Sequence, residues 1–201
     1  MQTNITQASG DVILNKAKLL GLDINTIHLT DDQYCYLIKI NRISHVLYIP
    51  SNVTCIPKYM KFNKGSTTIN KSDYAEALGK LKGYLRVVGG EGLTDLEYLL
   101  ANTGVSSVNL TEFNPKAVTN VQYMTYESEI HEIDISHFNY TDDVNVALIL
   151  LDGEIRKLKA ESAKKFSIPQ IEYDAMLEIE ELSSVHLSKE LTIKLIGELA
   201  E

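Results

Sequence analysis

Cysteine is scarce in this chain: Cys35 and Cys55 are the only two. Neither pairs with His28 or His45 at the close spacing of a structural zinc site, so both read as reduced thiols of a cytosolic protein. No apolar run approaches the roughly 18 residues of a membrane span. The N-terminus, Met1 to Thr6, has neither a basic stretch nor an apolar one, so no signal peptide is expected. Basic charge is nearly missing from residues 91–143, where Lys116 stands alone against ten carboxylates. That block nets −9 in a chain of formal charge −8, so the rest is close to neutral. Without a basic footprint, direct nucleic-acid binding is disfavoured. Catalytic signatures are missing too. Gly89-Gly90-Glu91-Gly92 superficially resembles a phosphate loop but lacks the Gly-x-Gly-x-x-Gly spacing or a Gly-Lys-Ser/Thr ending, and reads as a plain turn. No nucleophile–base pair or paired-carboxylate site stands out, and His131 and His137 read as surface residues. A non-enzymatic protein is therefore expected, with no cofactor or metal.

What is present suffices for a packed core, with 44% hydrophobic residues. Asp11 to Leu20 predicts a helix with Val12, Ile13, Ala17 and Leu20 on its apolar face, Asp11 as cap and Gly21 as terminator. Tyr34 to Ile40 and His45 to Ile49 predict two strands, and the polar Asn41-Arg42 between them predicts a hairpin. Pro50 and Pro57 bracket a loop carrying Cys55, and residues 63–71 read as a polar, turn-rich connector. Ser72 to Leu81 predicts a helix with Ser72 near its N-cap, and Lys82 to Val88 a strand.

Beyond that strand the chain repeats itself. Leu93-Thr94-Asp95-Leu96-Glu97-Tyr98-Leu99 returns 25 positions later as Val118-Thr119-Asn120-Val121-Gln122-Tyr123-Met124. Val108 to Asn114 returns at the same offset as Ile133 to Asn139. A fixed period of this size predicts stacked structural units. Apolar residues at every third position in the first half of each unit predict a short helix or 3₁₀ turn. In the second half, Val105, Val108, Leu110 and Phe113, then Ile130, Ile133, Ile135 and Phe138, predict strands with one buried face. A weaker third unit begins at Asp143. After Pro169, Glu172 to Leu182 and Ser188 to Leu199 predict two helices that close the array.

Val118-Thr119-Asn120-Val121-Gln122-Tyr123-Met124 and Ile130-His131-Glu132-Ile133-Asp134-Ile135-Ser136-His137-Phe138 resemble the helix and strand segments of the BspA-type bacterial leucine-rich repeat. The resemblance covers about residues 85–160. It implies a short leucine-rich-repeat solenoid with a parallel sheet over 82–167. With the elements read at either end, the expected fold is α+β, with an N-terminal α/β cap containing a hairpin over 1–81 and a C-terminal helical cap over 168–201. Members of the family are surface adhesins, lipoproteins and prophage-encoded proteins.

The strand register nominates a surface. With Val108 and Leu110 inward, Ser107, Asn109 and Thr111 face outward, followed by Glu132, Asp134 and Ser136, then by Lys157 and Lys159. Stacked about 4.8 Å apart, these form a patch running from neutral through acidic to basic. It reads either as a docking surface for a basic partner near Glu132 and Asp134, or as a solvated face whose carboxylates pair with the neighbouring lysines. The expected function is protein–protein interaction in the cytoplasm of a bacterial host. A first alternative is a phage- or mobile-element-encoded inhibitor of a host defence nuclease, of anti-CRISPR type, whose acidic face occupies a basic nucleic-acid channel. A second is a surface adhesin fragment. The C-terminal helices leave open a homodimer.

Overall fold

The structure, a computed structural model, describes residues 5–58, 60–62, 69–150 and 153–165. It opens with helix α1 (Ile5–Leu19). Strands β1 (Asp23–His28), β2 (Tyr34–Asn41) and β3 (Ser44–Ile49) follow as an antiparallel meander. A small hairpin, β4 (Met60–Phe62) with β5 (Ile69–Lys71), leads to helix α2 (Asp73–Gly79). Strand β6 (Gly83–Gly89) then pairs in parallel with β3, and β7 (Val105–Phe113) in parallel with β6. The resulting five-stranded mixed sheet has the order β1-β2-β3-β6-β7. Strands β8 (Glu132–Asp134) and β9 (Lys157–Lys159) form a separate parallel pair.

Both faces of the central sheet are covered, which is why β3 and β6 read as nearly continuous apolar runs. On one face, Leu14 and Ala17 of α1 pack on Ile38, Val46, Tyr48 and Val88. On the other, Leu37, Leu47, Ile49 and Leu85 meet Tyr74, Leu78 and Leu81, in a core that continues through the repeats to Leu158 and Ala160. Burying each such aliphatic side chain stabilises the fold by about 1.5–3 kcal/mol. Helix α1 begins before Asp11, so Asp11 caps nothing; its carboxylate instead accepts from the Tyr48 hydroxyl at 3.3 Å. Its apolar face is rotated from the expected one, since Val12 and Leu20 are 60% and 64% exposed. Gly21 does end the helix. It sits at φ 63°, with Gly21 N–H donating to Lys18 O and Leu22 N–H to Ala17 O, a Schellman motif. Ser72 caps α2 by accepting from the Ala75 N–H.

The expected leucine-rich-repeat solenoid with a parallel sheet is not what the chain forms. The hairpin strands are not a separate cap; they extend the same sheet as β6 and β7, antiparallel to one another. Beyond β7 the ladder stops. Asn109 Oδ1 accepts from the Thr111 N–H at 2.9 Å, an Asx turn that coincides with a shift in the β6–β7 register between Arg86 and Val88. A further shift lies between Gly83 and Tyr84, and the two together keep Val105, Leu110 and Phe113 buried in a strand that no longer alternates strictly. Asp134 repeats the Asx turn with the Ser136 N–H at 3.1 Å and ends β8 after three residues.

The expected helical segments of the first two units are runs of turns, and among the described residues only Val146–Leu150 is a 3₁₀ helix. Their backbone donors point elsewhere. The N–H groups of Leu96, Leu100 and Asn102 reach the carbonyls of Asn120, Met124 and Tyr126 in the next unit. A helix would have kept those bonds within itself. The 25-residue spacing is nonetheless visible in side chains. Tyr98 and Tyr123 stack with centroids 5.6 Å apart, and Thr119 Oγ1 donates to Thr94 O. The Tyr74 hydroxyl donates to Leu99 O at 2.7 Å, which places α2 one period before the first recognised unit. The two helices expected after Pro169, and residues 63–68 of the polar connector, lie outside the described residues.

Candidate functional site

The nominated surface lies where the main sheet ends and the β8–β9 pair begins. A groove of about 740 Å³ opens there. Asn109 and Thr111 of β7 line one side, and Asp134 and Ser136 the other. Val108 and Leu110 contribute its apolar lining, and Tyr84, Asn114 and His137 complete it. Thus four nominated residues converge on one concavity. Ser107 on β7, Glu132 on β8, and Lys157 and Lys159 on β9 do not line it.

Several of these groups are already engaged. Asn109 Oδ1 accepts from both the Thr111 N–H and the Thr111 hydroxyl. Ser136 Oγ accepts from the Glu161 N–H at 3.3 Å. His137 Nε2 bonds Phe113 O at 3.0 Å, fixing its ring at the end of the groove. The phenol of Tyr140 donates to Ile135 O, and burial, followed by the charge of Asp134, raises its pKa well above the usual tyrosine range. Tyr84, Asn114 and His137 were not visible as site residues in the sequence. The recurrence of Asn114 at Asn139 was a usable signal; nothing marked Tyr84.

Part of the acidic block is compensated by cations from the flanking chain. Glu132 pairs with Lys157 at 3.2 Å and Asp134 with Lys159 at 3.8 Å, each across the β8–β9 register. Glu129 pairs with Lys82, Glu112 with Arg86 and Asp142 with Lys164. Five of the ten carboxylates therefore meet cations supplied from outside residues 91–143. Among the described residues Asp95, Glu97 and Asp143 form no ion pair. Glu97 has a raised pKa, from burial and then from the adjacent charge of Asp95, partly offset by Lys58.

The other sequence candidates do not assemble into sites. Cys35 is buried in the core, with its thiol pushed up to about 12 by burial, while Cys55 is exposed. Among the described residues no three His, Cys, Asp or Glu side chains could hold a metal ion. The glycines of residues 89–92 serve packing: Gly89 and Gly90 sit at φ 87° and 82°, and a Cβ on Gly90 would lie 2.1 Å from Phe113 Cε2. No helix among the described residues is long and apolar enough to cross a membrane. No protein family, no curated protein and no solved structure matches the chain.

Proposed function

We propose that this chain is a non-enzymatic protein–protein interaction protein that engages its partner through the groove between β7 and β8. One observation carries the reading: Asn109, Thr111, Asp134 and Ser136 converge on a single concavity of about 740 Å³ that Val108 and Leu110 also line. A lining that mixes polar and apolar side chains suits a protein side chain or short segment better than a diffusible ion. The resemblance of the repeats to BspA-type units fits a role in recognition rather than catalysis. Two free thiols fit a reducing compartment, and we place the protein in the cytoplasm of a bacterial host.

The defence-nuclease inhibitor is the weaker reading. It needs carboxylates that imitate phosphates, and ion pairing draws on five of those in the acidic block. The direct test is affinity capture from host lysate with the full chain and two variants. Thr111→Arg fills the groove and should reduce capture at least about tenfold, equivalent to 1.4 kcal/mol. Ser106→Arg, on the same strand but outside the groove, should leave capture unchanged. Equal capture by parent and Thr111→Arg would remove the groove from the interaction.

A further inference from the structure

Large apolar side chains exposed to water are few in this chain, and they are not scattered. Among the described residues they are Val12, Leu19, Leu20, Ile40 and Ile43. All five belong to α1, the residue after it, or the β2–β3 hairpin. Single exposed apolar residues are ordinary, but a group of them in one place marks a contact surface. The topology gathers four of them at one end of the sheet. Leu19 and Leu20 close α1, and Gly21 and Leu22 lead directly into β1 at Asp23. Asp23 pairs with Lys39 in the β1–β2 register, so Leu22 and Ile40 stand just beyond that pair. Ile43 sits in the turn that returns β2 as β3, between the paired Asn41 and Ser44. Val12 extends the group along α1, two turns before Leu19 and on the same side of the helix. That side is opposite to Leu14 and Ala17, which pack on the sheet.

Cations accompany these side chains. Lys16 shares the outer side of α1 with Val12 and Leu19, and Lys18 belongs to the same last turn. Arg42 precedes Ile43 in the hairpin turn. All three are exposed, and none forms an ion pair among the described residues. Lys16 and Lys18 also suit the negative end of the helix dipole. No such reason covers Leu19, which at 88% exposure keeps nearly its whole surface in water. The wider charge distribution agrees: residues 1–90 hold eleven Lys and Arg against six Asp and Glu, the reverse of the acidic repeats.

We infer that this end of the molecule docks on an anionic lipid surface, with Leu19, Leu20, Ile40 and Ile43 entering the headgroup layer and Lys16, Lys18 and Arg42 meeting lipid phosphates. Side chains that protrude from a helix end and a hairpin turn need a partner that yields around them, as a bilayer does. A protein partner would need a matching concavity. Apolar insertion and the attraction of lysine and arginine to anionic lipids act together in such contacts, and neither needs a run long enough to span the bilayer. None of these residues lines the groove between β7 and β8, so the inference is independent of the partner proposed there.

The test is co-sedimentation of the full chain with vesicles of phosphatidylcholine, either alone or with about one third phosphatidylglycerol. The mixed vesicles should bind the protein at least about tenfold more tightly, and added salt should release it. Leu19→Ser combined with Ile43→Ser should weaken that binding at least about tenfold, and Lys16→Gln combined with Arg42→Gln to a similar degree. Both double variants change exposed positions, so their unfolding temperatures should stay close to the parent's. Lys116→Gln combined with Lys165→Gln removes the same charge from exposed positions elsewhere and should leave binding unchanged. Absence of binding to the mixed vesicles overturns the inference, and so does binding that either of the first two double variants retains in full. A parent that dimerises in sedimentation and binds no vesicles overturns it too, and shows that a second copy covers the patch.

Discussion

The meander β1-β2-β3 and the repeats after β6 solve the same problem by different means. In the meander, backbone ladders run for six residues or nearly so, and side chains have little to do but pack. Beyond β7 the ladder shrinks to three residues, and side chains add to the backbone bonds that cross between units. Thr125 Oγ1 donates to Ile149 O, Thr141 Oγ1 to Val118 O and Ser162 Oγ to Phe138 O. Asx turns at Asp95, Asn120 and Asn145 set the backbone at one corner of each unit. A strand ladder tolerates many sequences because its bonds are made by atoms every residue carries. Side-chain bonds at fixed positions do not, and that is why the repeats leave a 25-residue period in the sequence.

The contrast predicts where the chain breaks. Phe138 is buried between Phe113, edge-on at 5.6 Å, and Tyr140. Phe138→Ala should cost about 3–5 kcal/mol in denaturant unfolding, the range for a truncated core aromatic. A loss below about 1 kcal/mol would mean that the repeat core closes over the gap and is not close-packed. The second test concerns the junction between the two regions. Tyr74 is buried, and its hydroxyl ties α2 to the first repeat unit alongside Asn102 Nδ2 donating to Ala75 O and Thr103 Oγ1 donating to Leu78 O. Tyr74→Phe leaves the Leu99 carbonyl without that donor and should cost about 1–3 kcal/mol. The side chain otherwise keeps its shape, so a neutral result would mean that packing and the Asn102 and Thr103 bonds hold the junction without this hydroxyl.

A pH titration sharpens the comparison on the meander side. Burial lowers the pKa of His45 below 6.5, the Lys82 backbone opposes this, and the charge of Lys39 adds to the lowering. A depressed pKa means that the unfolded chain binds the proton more readily than the folded one. The stability associated with neutral His45 is therefore complete above pH 6.5 and falls as pH drops through the folded value. His45→Gln should flatten that part of the stability–pH curve. An unchanged slope would assign the acid sensitivity to other groups.

These differences also explain what could be read in advance. Strands β2, β3, β6 and β7, the Ser72 cap and the Gly21 terminator each carried a local signature. Strand β1 did not: only Ile27 of Asp23–His28 is buried, so no alternation showed. The solenoid expectation failed for a different reason. A period states which residues recur, but not which backbone donors cross between units, and here Leu96, Leu100 and Asn102 send theirs across rather than along the chain. Of the nominated surface, the charged ladder was legible from the register alone. The groove was not, because it depends on the β7 register shifts and on the interruption of the sheet before β8.

The smallest expected effect bears most directly on function. Glu132 and Asp134 form their ion pairs at exposed positions, with side chains 68% and 57% accessible. Exposed pairs contribute about 0–1 kcal/mol, and salt screens them further. Glu132→Gln should accordingly change stability by less than about 1 kcal/mol at low salt and by less still at high salt. Asp134→Asn should behave the same way, because asparagine keeps the Oδ1 that accepts from the Ser136 N–H. If both hold, any loss of partner capture in these variants is a loss of recognition rather than of fold. A cost above about 2 kcal/mol for either would instead make the carboxylates structural, tying the repeat face together as the Thr and Ser hydroxyls tie its interior.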